Sequence, residues 1–271
     1  MVDIERITYR ENPHKPFWKR LRPPPYPMGE VRADDTKDFE FAMLGLVSLE
    51  PLSALPERIR YGIHDSMFSV DPKSIYQNTP LQQGNCHAAN DPTRRDPRGC
   101  GHCVGFGCKH LLLMQPTVNI APKISGSDIY HRAQTMDEWA GTSYQGTSVR
   151  AGLKALQSMG YIGTYVWTSS VYTVAQWLLS GRGPVIVGTS WYQQMFSPWS
   201  YGGFLVPAGS YAGGHCWVLD EVDQTTRIFG MTNSWNGWNS TGRAKIRWND
   251  LQMLFNQRPN AAASATEFLR P

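Results

Sequence analysis

The chain has 271 residues, of which 41% are hydrophobic and 18% are charged, with a formal net charge of +4 at pH 7. Such a chain can bury a sizeable core, as one large domain or two small ones. The mild charge does not point to nucleic acid, and the cluster Arg94, Arg95 and Arg98 is typical of a solvated loop. The polar N-terminus lacks the apolar stretch of a typical signal peptide, and no apolar run is long enough for a membrane span. We therefore expect a soluble protein.

Residues 1–54 are predicted to form an N-terminal arm in front of a single domain at residues 55–271. The stretch 17–27 reads Phe-Trp-Lys-Arg-Leu-Arg-Pro-Pro-Pro-Tyr-Pro. Consecutive prolines favour an extended polyproline conformation, and a segment of this kind cannot form a core of its own. We expect the arm to lie on the globular body or on partner subunits of an assembly.

The rest of the chain places predicted helices before predicted strands. Apolar residues at three- and four-residue spacing predict helices at 103–114, 127–139, 147–159 and 173–180, with Ser127 as a cap and Gly160 as a stop. Runs of β-branched and aromatic residues between turn residues predict strands at 184–191, 215–222, 227–231 and 243–248. This order indicates an α+β fold with a cleft between its two halves.

Three residues have the chemistry of a thiol nucleophile and its support. Cys103 opens the first predicted helix, and both the helix dipole and a neighbouring imidazolium favour a thiolate there. His215 opens a strand-like run, and Asn233 follows it by 18 residues. A lone histidine before an apolar strand is more often structural. An asparagine amide, however, can hold an imidazole in the productive tautomer, so we predict that the three residues form one catalytic group.

The motifs around these residues resemble those of papain-family (C1) cysteine peptidases. Residues 101–106 (Gly-His-Cys-Val-Gly-Phe), 214–219 (Gly-His-Cys-Trp-Val-Leu) and 233–238 (Asn-Ser-Trp-Asn-Gly-Trp) match the family's three signatures in order and spacing. The resemblance covers roughly residues 80–250. His102 departs from the family pattern, which has serine before the nucleophile, and the arm does not resemble the family's helical inhibitory propeptide.

The resemblance implies a papain-like fold, a helical half facing an antiparallel β half, and hydrolysis of a peptide or protein substrate without a cofactor or metal. It also implies an oxyanion hole formed by the Cys103 backbone N–H and the side chain of Gln83, in the family's Gln-Gly-x-Cys pattern at residues 83–86. An inserted stretch, residues 87–100, then separates Gln83 from the nucleophile. Counting back without the insertion reaches Pro97, which has no donor, and Arg98 is the remaining alternative.

The resemblance further assigns four residues to the substrate groove. Gly146 and Thr147 correspond to a glycine pair that lines the family's groove, so one glycine is kept and one is replaced. Extended peptides bind such grooves through main-chain hydrogen bonds. Gly214, the small residue before His215, also faces substrate in this scheme, and Trp235 covers the histidine and asparagine pair.

Two other interpretations stay open. One is a zinc site, since Cys100-x-x-Cys103 has zinc-type spacing; its ligand set would be Cys86, His87, Cys100, Cys103, Cys108 and His110. The other is an inactive papain-like module that serves as a structural or binding component of a larger assembly, such as a phage virion. In that case protein partners would bind through the arm, and the protein would be virion-associated rather than only cytoplasmic. We expect no nucleic-acid or membrane partner in either case.

The five cysteines also leave the disulfide pattern open. Cys86 and Cys100 could close a short loop, while Cys108 and Cys216 fit plain buried thiols. The sequence does not determine the pairing.

Overall fold

The fold comes from a computed structural model that describes residues 48–61, 101–114, 116, 124–142, 144–235, 238–239, 241–257 and 262–269. Five α-helices lie within these ranges: α1 Cys103–Leu113, α2 Gly126–Gln134, α3 Val149–Ser158, α4 Val171–Leu179 and α5 Trp248–Asn256. Seven β-strands lie there too: β1 Arg58–Arg60, β2 Tyr165–Thr168, β3 Val185–Tyr192, β4 Tyr211–Asp223, β5 Ile228–Thr232, β6 Arg243–Arg247 and β7 Ala262–Ala265.

The strands form one antiparallel sheet in the order β2-β7-β3-β4-β5-β6. Strand β4 is its longest member, at 13 residues, and pairs with β3, β5 and also β1. Within the described residues, the first half of β4 pairs with β3, and its second half pairs with β5 and, at its end, also with β1. The predicted α+β class is therefore confirmed.

Serine caps fix where three of the helices begin. Ser125, Ser148 and Ser170 each accept a hydrogen bond from the backbone N–H three residues further on. The predicted cap at Ser127 is therefore wrong by two residues. Ser125 has Asp128 three residues later, and their side chains cap each other's backbone reciprocally, whereas the residue three after Ser127 is not acidic.

Helix α1 is buried along its whole length because two glycines bring it close to its neighbours. A Cβ on Gly105 would lie 2.0 Å from the carbonyl oxygen of Gly126 in α2. A Cβ on Gly107 would lie 2.9 Å from Cys216 Sγ in β4. Helix α1 thus lies between the helical part of the domain and the sheet, and it packs directly on the strand that carries His215.

The last residues of the predicted arm lie against α4. The Gln176 side chain donates to Glu50 O at 2.9 Å, and a short 3₁₀ helix at Leu52–Ala54 leads into β1. Residues 1–47, most of the predicted arm, lie outside the described residues. None of the described helices is long and apolar enough to cross a membrane.

Candidate active site

Cys103 occupies the first turn of α1, fully buried. The dipole of this 11-residue helix favours an anion at that end. Cys103 lies one turn before Gly107, a distance of about 6 Å along the axis. Because Gly107 packs against Cys216, the residue after His215, α1 meets β4 about one helical turn from Cys103.

His215 is held by Asn233, and the hydrogen bonds of the asparagine fix the histidine tautomer. His215 Nε2 lies 2.8 Å from Asn233 Oδ1, and the backbone N–H of Ser234 donates to the same oxygen at 2.8 Å. A backbone N–H can only donate, so the atom that it meets is the amide oxygen and not the amide nitrogen. His215 Nε2 must therefore carry a hydrogen, and in the neutral ring Nδ1 is the basic nitrogen.

Aromatic side chains pack around the His215 imidazole. The Trp235 ring stacks on the His215 imidazole, with centroids 4.1 Å apart and planes at 24°. Trp191 meets the same imidazole edge-on at 4.9 Å, and Phe196 stacks on the far side of Trp235 at 5.5 Å. His215 is fully buried, and its Nδ1 has no hydrogen-bond partner among the residues that the structure describes. These aromatic rings therefore keep water away from His215 Nδ1, the basic nitrogen.

Burial also sets the protonation of His215. Loss of hydration lowers the pKa of its imidazole to about 3, and the hydrogen bond to Asn233 opposes that change only in part. The imidazole is therefore neutral near pH 7 unless an anion lies beside it. A thiolate at Cys103 would be such an anion and would raise the pKa again.

This dependence can be measured in a Cys103→Ala variant, which has no thiolate. We expect His215 to stay neutral from pH 8 down to well below its ordinary value of about 6.5. Since the pKa in the folded state is below the unfolded value, this histidine also makes the fold less stable as pH falls from about 6.5 towards 3. Ring resonances in a nuclear magnetic resonance titration, assigned among the seven histidines, give the midpoint. A midpoint at or above 6.5 would contradict this account of the site.

The predicted groove residues differ in what the structure shows of them. Gly146 has a φ of +94°, a backbone conformation that favours glycine, and its N–H donates to Tyr130 Oη at 3.0 Å. Thr147 is fully buried, and its hydroxyl donates to Asp137 Oδ2 at 2.8 Å. Gly214 pairs with Ser190 in the β3–β4 ladder, directly before His215. Their contact with substrate, like that of Trp235, stays a prediction.

Several predicted site residues lie outside the described residues. These are Gln83, Pro97 and Arg98 for the oxyanion hole, and Cys86, His87 and Cys100 for the zinc or disulfide alternatives. Among the residues that are described, no three histidine, cysteine or acidic side chains are grouped closely enough to hold a metal ion. Cys103, Cys108 and Cys216 are buried thiols. Burial, together with the nearby Cys103, raises the pKa of Cys108, so this second thiol of α1 is unreactive.

A buried ionic group next to Asn233 in the chain was not predicted from the sequence. Asp220 is fully buried in β4, and its carboxylate accepts from the Arg243 guanidinium through both oxygens and from the Thr232 hydroxyl at 2.7 Å. Thr232 precedes Asn233, whose own N–H donates to Gly242 O at 2.8 Å. The group therefore fixes the ends of β5 and β6 that flank Asn233. An aspartate inside the apolar run of β4 was the signal that could have revealed it.

No protein-family model matches the chain, and no curated protein is significantly similar to it in sequence. The fold is shared with Xylellain, a cysteine protease from Xylella fastidiosa, with a TM-score of 0.58 at 14% identity over 92% of this chain and 98% of that one. A proCathepsin B from Trypanosoma congolense matches with a TM-score of 0.46 at 11% identity over 88% of this chain and 82% of that one. The chain thus has the fold of a cysteine protease. At these identities the likeness concerns fold and not activity.

Proposed function

We propose that the protein is a cysteine peptidase of the papain-like kind, with Cys103 as nucleophile, His215 as acid and base, and Asn233 as the orienting residue. One observation carries the proposal. The hydrogen bond from His215 Nε2 to Asn233 Oδ1 leaves Nδ1 as the basic nitrogen, buried and without a partner among the described residues, and α1, which begins with Cys103, packs on β4 at the residue after His215. A helix-terminal thiol next to an oriented imidazole is the arrangement that thiol acyl transfer requires.

The proposed reaction has two halves. The thiolate of Cys103 attacks the scissile carbonyl carbon, forming a C–S bond while the carbonyl π electrons move to oxygen. The resulting oxyanion is held by the Cys103 backbone N–H and, in the proposal, by the Gln83 side chain. When the C–N bond breaks, the proton on His215 Nδ1 passes to the leaving amine, and an acyl-enzyme remains.

Water then enters from the side of the departed amine. His215 Nδ1 takes a proton from this water as its oxygen attacks the acyl carbon, and collapse of the second oxyanion breaks the C–S bond. The acid product leaves, and the thiolate and imidazolium are restored. Throughout, Asn233 keeps the imidazole in one orientation and Trp235 keeps bulk water off the pair, so replacing Asn233 by alanine should give a folded but slower enzyme.

The proposed substrate is an extended peptide. In the proposal the Gly146 carbonyl and the Gly214 backbone form main-chain hydrogen bonds with such a chain, while the Gly146 N–H stays bound to Tyr130. Near the end of β3, the short 3₁₀ helix Gln193–Phe196 carries two buried apolar side chains, so an apolar side chain of the substrate is the better fit in that region.

Covalent labelling with a peptidyl epoxide tests the proposal. Wild type should gain one adduct by intact mass, on Cys103, and only while folded, because an activated thiol and a peptide groove are both needed. The Cys103→Ala variant and denatured wild type are the controls. Absence of an adduct on folded, reduced wild type would overturn the proposal. It would favour the alternative of an inactive module that binds protein partners through residues 1–54.

A further inference from the structure

One side of α2 and the turn after it carries three polar side chains that bind the segment 144–147. Tyr130 and Gln134 are four residues apart in α2 and share a side of the helix, and Asp137 lies in the turn that follows. Gln134 Nε2 donates to Tyr144 O at 2.8 Å. Asp137 accepts through one oxygen from the Tyr144 hydroxyl at 2.6 Å and through the other from Thr147 at 2.8 Å. These bonds fix the segment that contains Gly146.

The Tyr130 hydroxyl is the member of this group that reaches Gly146 itself. It accepts the Gly146 N–H at 3.0 Å and lies 3.4 Å from Tyr144 O, to which it can donate. Tyr130 is only 2% exposed, so no water takes over these bonds. Burial raises the pKa of Tyr130, and the hydroxyl therefore stays protonated and able to donate at any ordinary assay pH.

The ring of the same tyrosine packs on the residue before the nucleophile. The His102 imidazole stacks on the Tyr130 ring with centroids 3.8 Å apart and planes at 23°, and His102 Nδ1 lies 3.2 Å from Ser127 Oγ. One turn further along α1, a Cβ on Gly105 would lie 2.8 Å from Tyr130 Cβ, so the two helices are in close contact there. Tyr130 thus contacts both the first turn of α1 and the backbone of Gly146.

We propose that Tyr130 is a positioning residue that sets the place of the Gly146 backbone relative to Cys103, and with it the binding of an extended peptide. This inference rests on the proposed peptidase function. It adds a residue that takes no part in bond making or breaking in the proposed reaction. Through Tyr130, the distance between nucleophile and groove depends on one buried side chain rather than on the loop alone.

The test variant is Tyr130→Phe, which keeps the ring and its stacking on His102 but removes the hydroxyl. The Gly146 N–H then loses its buried acceptor, and the segment must shift to find another. We expect KM for a peptide amide to rise by up to about tenfold, the factor reached if the free energy of one unmade buried hydrogen bond is lost entirely from substrate binding, with kcat changed much less. Labelling by the peptidyl epoxide should slow by a similar factor, whereas labelling of Cys103 by iodoacetamide, which needs no groove, should keep its rate.

Tyr61→Phe is the matched control. Tyr61 is also buried, and its hydroxyl donates to Leu178 O at 2.5 Å, in contact with α4 and away from the groove. The Tyr61→Phe variant should lose about as much thermal stability as Tyr130→Phe, but its KM should equal that of wild type. Gln134→Met is the second variant; it removes the donor to Tyr144 O and should shift KM in the same direction as Tyr130→Phe.

The outcomes separate the two proposals. An unchanged KM in folded Tyr130→Phe and Gln134→Met would overturn the role of Tyr130 while leaving the peptidase function intact. Equal slowing of epoxide and iodoacetamide labelling would also overturn it, because the change would then lie at the thiol and not in the groove. Wild type that fails to react with the epoxide would overturn the peptidase function itself, and this inference with it.

Discussion

Replacing Cys103 with alanine should lower the turnover of a peptide substrate by at least about 10⁴-fold, since removing the nucleophile of such a group costs factors of this size or more. The fold should survive, because the change removes one sulfur from a buried site. Steady-state hydrolysis, measured with thermal unfolding of the same samples, gives both quantities.

Cys108→Ala is the control for this substitution. Cys108 is a second buried thiol on α1, five residues further on, where it packs on Gly152 of α3. Its loss should change stability slightly and leave kcat close to that of wild type. Turnover by Cys103→Ala at more than about a hundredth of the wild-type rate would contradict the assignment of the nucleophile, since a nucleophile's removal costs far more.

Replacing Asp220 with alanine should lower the free energy of unfolding by about 3–5 kcal/mol, which is typical when one partner of a buried ion pair is removed. Arg243 would lose its two-oxygen partner, and the Thr232 hydroxyl would lose its acceptor. Because Thr232 precedes Asn233, we also expect slower peptide turnover in the folded fraction. Urea unfolding measures the loss of stability. The value of kcat, measured without denaturant at a temperature well below the unfolding midpoint, measures the loss of turnover.

Asp223→Ala, at the end of the same strand, is the matched comparison. Its carboxylate accepts the Thr226 N–H at 2.8 Å near the surface, where such a bond contributes about 1 kcal/mol. If Asp220→Ala proved no more destabilising than Asp223→Ala, the ionic group would not be what fixes β5 and β6 beside Asn233.

Much of the fold could be predicted because local patterns agree with it. The spacing of apolar residues predicted α1 and α3, and their observed bounds, Cys103–Leu113 and Val149–Ser158, differ from the predicted ones by at most two residues. The predicted strand at residues 184–191 begins and ends one residue before the observed strand β3. These elements bury one continuous set of apolar side chains, so sequence pattern and tertiary packing favour the same structure.

Other elements depend on contacts that the local sequence does not show. Strand β7 reads Ala-Ala-Ser-Ala, which has no strand propensity of its own, yet it pairs with both β2 and β3. Trp248 was predicted to end a strand and instead begins α5, where Asp250 lies in the first turn and Leu251, Leu254 and Phe255 are buried. Strand β1 has three residues and pairs with the end of β4, a contact that its own short sequence does not predict.

The candidate site, like the fold, could be predicted only in part. Motifs located Cys103, His215 and Asn233, and the structure shows the hydrogen bond between the last two. Tyr130 could not be found from the sequence, since its partner Gly146 lies in another part of the chain. An aspartate in an apolar run marked Asp220, but the sequence did not show that its partner is Arg243. The motif predicted Thr147 as a site residue, but it did not show that the threonine hydroxyl donates to Asp137.

Trapping the acyl-enzyme would show whether Cys103 is the residue that substrate acylates. Wild type would be mixed with a peptide ester and, separately, with an amide of the same acyl group, quenched in acid, and analysed by intact mass and peptide mapping. The proposed function predicts the same added acyl mass from both substrates, attached to Cys103. Turnover of either substrate with the acyl group on another residue, or with none on Cys103 under conditions where acylation outruns hydrolysis, would contradict it.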